Sequence, residues 1–354
     1  MCLELNSTVY QQRVAEEDAV QNHLRICMKV NEDRESLVTT SPSEPIVSEA
    51  ASLIMKTNPN FHMADGLKAI LAGFGLDQGD RGELVAMALF TEARDLAIEK
   101  EHLREGSDLR QYLPTFSVPQ FLNHLLHRKQ LGSDMPSLVR NNAENISFNQ
   151  QFKDSIMHFN HFIQPHQHNV FTTRRLHPYF IARGAALRGA KGQPGSDFAF
   201  FFLRSGPTVE EKNSSLILVQ LKNVQGMSSM PDKSLFHLMC PYRLGIFKEN
   251  EDPPGPIIRL VFSLASKKPC VTRVEYSVEE ERKEHCKVTT YDYFVAGLDP
   301  SVLVPITEGE KKAWKAVLRE SPWSNMYANA PASDSLRKQA PLAMVQEAHL
   351  SFFK

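Results

Sequence analysis

Ser196-Asp197-Phe198-Ala199-Phe200-Phe201-Phe202-Leu203 and, after a polar turn, Ser215-Leu216-Ile217-Leu218-Val219-Gln220-Leu221-Lys222-Asn223 are the segments on which the fold depends. Each holds a short apolar run bounded by Gly, Pro, Ser and Asn, the pattern of a buried strand. The run Leu216 to Val219 predicts burial on both faces, as in a central strand. Side chains alternate along a strand, so Gln220 and Lys222 share one face while Val219 and Leu221 take the other. A buried lysine is costly unless it meets an acid, a metal-bound ligand or water. Asp197 opens the first run, and antiparallel pairing through the turn Arg204 to Ser214 is expected to bring it beside Gln220. An acid, an amide oxygen and an ammonium then converge at one edge of a sheet.

Outward from this pair the texture alternates between helix and strand. The strongest helical signal runs from Gly82 to Glu101, with Leu84, Val85, Ala88, Leu89, Ala93, Leu96 and Ala97 on one apolar face and Asp80 as N-cap. Val118 to Arg128 is amphipathic, with Phe121, Leu122, Leu125 and Leu126 on one side. Helices are also predicted over Gln11 to Val30, Val47 to Lys56, Phe148 to Gln164, Tyr179 to Gly189 and Glu308 to Arg319, the last with Ala313, Trp314 and Val317 inward. Further strands are predicted at Pro256 to Ala265 and Val288 to Ala296. Asn31 to Pro45, with Ser-Pro-Ser-Glu-Pro, reads as a linker, and Ser321 to Pro341 as an ill-ordered tail.

Composition narrows the function classes. Hydrophobic residues at 42% and charged residues at 23% are ordinary for a globular chain, and 354 residues suffice for a substantial core. No run approaches the roughly 18 to 20 apolar residues that cross a bilayer, and the N-terminus lacks the basic-then-apolar pattern of a secretory signal, so no membrane association is expected. Cys2, Cys27, Cys240, Cys270 and Cys286 are scattered, odd in number and without a CxxC pair. That argues against a disulfide framework and fits an intracellular location, cytoplasmic or nuclear. With 40 Lys and Arg against 41 Asp and Glu, the net charge is -1. Nucleic-acid binders usually carry a basic surface, so a nucleic-acid partner requires a local basic groove here.

On the residues quoted above, the chain resembles the PD-(D/E)XK nuclease superfamily, whose members carry an acid on one strand, (D/E)-x-K on the next and often a glutamate on an early helix. Asp197 matches the first acid, Gln220-Leu221-Lys222 the second element, and Glu83 in Gly82-Glu83-Leu84-Val85-Ala86 the helix glutamate. A wider spread is similar to uncharacterised proteins of mushroom-forming (basidiomycete) fungi that carry this core. It comprises Gly79 to Glu83, Arg183-Gly184-Ala185, Gln193 to Asp197 and Tyr291 to Gly297. The resemblance implies an α/β fold of restriction-endonuclease-like type, with a mixed central sheet of four or five strands flanked by helices. It places a helical, partly disordered N-terminal extension at residues 1–60, the nuclease-like domain at 61–320 and a C-terminal tail at 321–354. It further implies phosphodiester hydrolysis of DNA or RNA dependent on Mg²⁺ or Mn²⁺, with Glu83, Asp197, Gln220 and Lys222 as catalytic residues. Asp197, Gln220, Glu83 and the Leu221 carbonyl would be the metal ligands, with Asn223 assisting.

Two positions depart from the motif. Ser196 stands where its proline would be, and Gln220 replaces an acid, leaving a neutral oxygen for a hard cation. Gln220 and the neutral net charge favour a second expectation, a catalytically silent nuclease-like fold that serves as a nucleic-acid or protein binding module, whereas the joint presence of Glu83, Asp197 and Lys222 favours the nuclease. Other readings compete residue by residue. Gln220 and Lys222 also fit a strand whose polar face meets solvent. Asp80 and Glu83 have the spacing of a capping box. The histidines His158, His161, His166 and His168 suggest zinc, yet Phe159 and Phe162 favour a packed amphipathic helix. Arg174, Arg175, Arg183, Lys267 and Lys268 would face a phosphate backbone or simply solvent. Gly192-Gln193-Pro194-Gly195 is a turn signal and matches neither phosphate-binding glycine motif, and no G-x-S-x-G is present.

Overall fold

A computed structural model describes residues 26–30, 37–40, 44–58, 61–71, 78–105, 114–140, 145–165, 168, 170, 173–190, 192–224, 228–248, 251, 255–283 and 286–319. The strands are β1 (Ile26–Val30), β2 (Leu37–Thr40), β3 (Ile156–Met157), β4 (His161–Ile163), β5 (Ala185–Arg188), β6 (Phe198–Leu203), β7 (Ser214–Lys222), β8 (Ile257–Ser263), β9 (Cys270–Arg273) and β10 (Thr290–Ala296). The helices are α1 (Glu44–Thr57), α2 (Met63–Leu71), α3 (Gln78–Glu105), α4 (Val118–Leu125), α5 (Phe148–Phe152), α6 (His177–Arg183), α7 (Lys233–Leu238), α8 (Val278–Lys283) and α9 (Lys311–Arg319).

The two apolar runs pair as their alternation requires. β6 and β7 are antiparallel, with Phe198 opposite Val219 and Leu203 opposite Ser214. They sit centrally in an eight-stranded sheet of order β4-β5-β6-β7-β8-β10-β9, with β3 also on β6. β7 runs parallel to β8 and β8 to β10, whereas β5 and β6 are antiparallel. The sheet is thus mixed and flanked by helices, and it is wider than the four or five strands expected.

Both faces are covered, which explains the near-continuous apolar runs. On one face Phe198, Phe200, Phe202, Ile217, Val219, Leu260 and Phe262 form a core with Phe90 of α3, Phe121 of α4 and Trp314 of α9. Phe90 meets Phe198, Phe200 and Phe262 edge-on at 5.6, 5.1 and 5.7 Å, a geometry that suits the aromatic quadrupole. On the other face Phe201, Leu203, Leu216, Leu218 and Val261 pack with Phe180 and Ile181 of α6 and Leu235 and Phe236 of α7. Ser117 caps α4 reciprocally with Gln120, and Pro119 occupies the first turn, where its missing N–H costs nothing.

Several expectations are corrected. The helix predicted over Phe148 to Gln164 stops at Phe152, because Ile156 and Met157 pair with Leu203 and Phe202 of β6. His158 therefore lies in a connection and His161 on β4, not on one helical face. Of Tyr179 to Gly189, only the part up to Arg183 is helical. Gly184, in the left-handed conformation, ends α6, and Ala185–Arg188 becomes β5. Of Gln11 to Val30, residues 11–25 lie outside the described residues and Ile26–Val30 is a strand paired with β2. β2 and the start of α1 also replace parts of the expected linker; the tail at 321–354 is outside the described residues. Helix α1, assigned by sequence to the extension, is tied to the main body. Glu49 accepts hydrogen bonds from Arg94 of α3 and from Asn160, and Ser52 donates to Asp95 at 2.7 Å. Among the described residues, no helix is long and apolar enough to cross a membrane.

Candidate functional site

The antiparallel register sets the geometry. With Phe198 opposite Val219, the preceding Asp197 lies beside Gln220. The Asp197 amide donates to the Val219 carbonyl at 2.7 Å, so the ladder already holds this residue before the strand proper begins. Its Oδ2 accepts from the Leu221 amide at 2.5 Å and from Gln220 Nε2 at 3.5 Å. Ser196, fully buried, sends its hydroxyl toward the Phe198 and Val219 carbonyls at 2.9 and 3.1 Å, a contact that the motif's proline would lack. Lys222 ends β7, half-buried, on the face shared with Gln220, and forms no ion pair among the described residues.

Two glycines allow the close approaches. Gly195 has φ 75°, and a Cβ there would lie 2.4 Å from the Leu238 carbonyl at the end of α7. Gly195→Ala is therefore expected to destabilise the fold by about 2 to 4 kcal/mol, combining left-handed strain with a backbone clash. Chemical denaturation measures this, and a cost below about 0.5 kcal/mol would contradict the placement. Gly82, in the second turn of α3, lies where a Cβ would meet Asn223 Cβ at 3.0 Å. Its lack of a side chain lets the start of α3 lie against the end of β7, which brings Glu83 to the same edge.

Glu83 does not form the capping box. α3 begins at Gln78, so Asp80 lies inside its first turn, and the Glu83 carboxylate instead accepts from Arg188 Nε at 2.5 Å. A second guanidinium nitrogen of Arg188 reaches Asp80 at 3.3 Å. Arg188 is the last residue of β5, a position that a helix over Tyr179 to Gly189 does not provide; the apolar Ala185-Ala186-Leu187 ahead of it is the local signal of the strand.

Electrostatics mark the Asp197 position. Burial pushes its carboxyl up from 3.8 to about 6, with Glu83 adding to the rise; the Leu221 amide, Lys222 and Gln220 pull the other way. Beside it, Gln220 is only 6% exposed, and its buried Oε1 has no hydrogen-bond partner among the described residues. Orphaned buried acceptors are rare because each costs about 1 to 3 kcal/mol. A buried carboxyl and, beside it, an amide oxygen without a partner among the described residues form a donor set that suits a hard cation. The N–H and C=O of a strand residue point to the same edge, so the Leu221 carbonyl also faces the Asp197 side. Among the described residues, no group of three or more His, Cys, Asp or Glu is placed to hold a metal ion, so any cation here would depend on Gln220 and backbone oxygen.

Three other candidates, Arg174, His158 and His161, are engaged elsewhere, and His166 lies outside the described residues. Arg174 pairs with Glu211 at 3.4 Å and with Glu251, and lies over the Phe247 ring. His158 Nδ1 meets the Pro114 carbonyl at 3.0 Å, and its burial lowers its pKa. His161 Nδ1 pairs with Asn160 at 2.7 Å. No curated protein and no solved structure matches the chain. Residues 5–239, more than half of the 354, match one family. By that match, the chain belongs to the family described as Domain of unknown function (DUF8736).

Proposed function

We propose that this chain is a divalent-cation-dependent phosphodiesterase of PD-(D/E)XK type, acting on DNA or RNA through a restriction-endonuclease-like core. The observation that carries the proposal is the buried Gln220 oxygen, without a hydrogen-bond partner among the described residues, beside the Asp197 carboxyl, with Lys222 two residues further along the same face. Support also comes from the adjacency of β6 and β7, which sets Asp197 and Gln220-Leu221-Lys222 side by side, and from the position of Glu83 at the same edge.

Asp197, the Gln220 oxygen and the Leu221 carbonyl would hold Mg²⁺ or Mn²⁺, with Glu83 adding negative potential. A divalent ion bound there lowers the pKa of a water ligand and neutralises charge on the scissile phosphate. The Leu221 amide fixes the Asp197 carboxylate so that one oxygen keeps its orientation. Lys222, positively charged and half-buried, orients the attacking water or stabilises the developing oxyanion, and partial burial strengthens its field.

Cleavage of plasmid and single-stranded substrates with Mg²⁺ or Mn²⁺ tests this reading. Wild type is expected to cut, Lys222→Ala to cut about a hundredfold more slowly, and Asp197→Ala to show only background. Equal background from all three proteins would end the proposal. A second reading, a silent fold used as a binding module, is favoured by one observation: Arg188 already engages Glu83 and Asp80. It predicts retarded nucleic acid on gels, or a captured protein partner, with no cleavage by wild type.

A further inference from the structure

Two thiols meet in the core on the α7 side of the sheet. Cys240 follows the end of α7 and Cys286 precedes β10, and each is only 1% exposed, among Phe236, Met239 and Val288. Their side chains are hydrogen-bonded to each other. The two segments also meet just beyond the sulfurs, where the Lys287 ammonium lies over the Tyr242 ring, 6.0 Å from its centre. Both backbones are anchored without the sulfurs. The Leu244 amide donates to the Cys240 carbonyl at 3.0 Å, and Arg140 Nε donates to the Cys286 carbonyl at 3.0 Å. Cys286 Sγ lies 4.0 Å from the Val288 carbonyl, too far to compete strongly. The pair is electrically unequal. The hydrogen bond from Cys286 leads in lowering the Cys240 pKa to about 6, against the cost of burial, helped by the Arg243 and Tyr242 amides and the Arg259 guanidinium. Cys286 moves the other way, because the same hydrogen bond and burial favour its protonated form. Cys240 therefore carries the thiolate and Cys286 the proton.

We propose that Cys240 and Cys286 form a modification site at which hydrogen peroxide closes a reversible disulfide between the end of α7 and the approach to β10. The Cys240 thiolate attacks one peroxide oxygen and breaks the O–O bond, giving a sulfenic acid and a hydroxide that takes up a proton as water. The Cys286 thiol then attacks the sulfenic sulfur. The S–S bond forms as the hydroxide leaves, and the thiol's proton makes it a second water. Two thiols are oxidised and one peroxide is reduced to two waters. Sulfurs already in hydrogen-bond contact need little backbone movement to bond. Their burial closes them to a bulky disulfide oxidant, whereas a molecule as small as hydrogen peroxide enters through local opening of the fold. The chemistry stands apart from the phosphodiesterase reading. It touches the candidate site only through structure, because the Leu238 carbonyl sets the same end of α7 against Gly195.

The test treats the folded full chain with hydrogen peroxide, blocks the remaining thiols with iodoacetamide and digests with trypsin. Cleavage after Lys233, Arg243, Lys283 and Lys287 leaves Cys240 on residues 234–243 and Cys286 on residues 284–287. Wild type is expected to yield these two peptides joined, about 2 Da lighter than their sum, and dithiothreitol to separate them. In Cys286→Ser, Cys240 is expected to stop at the sulfenic acid, captured by dimedone. In Cys240→Ser, Cys286 is expected to react about tenfold more slowly than that. Cys270, half-buried with its thiol on the Ser229 carbonyl at 3.4 Å, is the internal control and is expected to stay out of the linkage. If a serine variant does not fold, Cys286→Ala or Cys240→Ala takes its place, and the wild-type digest needs no variant. Recovery of the two peptides unjoined, as thiols or as sulfinic acids, would overturn the proposal. So would a linkage that forms as fast in the urea-unfolded chain, since the native contact would then contribute nothing. Faster dimedone capture at Cys286 than at Cys240 would overturn the assigned roles.

Discussion

Asp197→Asn is expected to abolish cleavage while making the protein more stable at pH 8. The carboxyl titrates near 3.8 in an unfolded chain and at about 6 in the fold, chiefly because burial disfavours its charged form. The folded state therefore holds the proton more tightly. Stability from this group falls as pH rises from about 4 to about 6, and the whole penalty is present above that. At about 1.4 kcal/mol per pH unit, the gap is worth about 3 kcal/mol. An asparagine keeps an oxygen for the Leu221 amide and removes the charge, so a gain of about 1 to 3 kcal/mol is expected at pH 8, vanishing below pH 4. Urea denaturation across pH measures it. Mg²⁺ is expected to narrow the difference by stabilising only the wild type, since a ligand that binds the native state raises its stability. A variant less stable than wild type at pH 8 would show that the carboxylate is a structural anchor, and the candidate site would lose its main support. Stability sacrificed at one position for charge is a common signature of a working site.

Arg259→Met is expected to give the largest loss of stability, about 3 to 5 kcal/mol, by leaving a buried carboxylate without its partner. Arg259 of β8 and Asp292 of β10 are opposite in register and both fully buried. The guanidinium donates to the two Asp292 oxygens at 2.7 and 2.6 Å and to the Phe236 carbonyl at 2.7 Å. Tyr276 and Thr290 complete the carboxylate's partners, each at 3.0 Å. Because the network is saturated, the loss comes from what remains unpaired, so the double change Arg259→Met with Asp292→Leu is expected to recover most of it. A single-variant cost below 1 kcal/mol, from denaturation at unchanged m-value, would refute this. The effect should reach the candidate site. Phe236 belongs to α7, and the Leu238 carbonyl at the end of α7 lies against Gly195, two residues before Asp197.

The legible parts of this protein were those governed by local rules. Periodicity located α3 and α9, with Trp314 inward and fully buried, and the bounded apolar runs located β6, β7, β8 and β10. The failures occurred where pairing partners were distant. Ile156 and Met157 carry no signal that separates strand from helix, and they are strand because β6 offers an edge to them. Ala185–Arg188 is strand for the same reason. Mistaking β5 for helix concealed Arg188, and with it the true partner of Glu83.

By itself, then, the amino-acid order determined that Gln220 and Lys222 share a face and that Asp197 opens the neighbouring segment, because a strand's side chains alternate whatever surrounds them. Only the tertiary structure decided the electrical state of that edge: how deeply Asp197 is buried, that the Gln220 oxygen lacks a partner among the described residues, and that Arg188 holds Glu83. Burial and charge pairing are sums over neighbours far apart in the chain, and no local pattern encodes them.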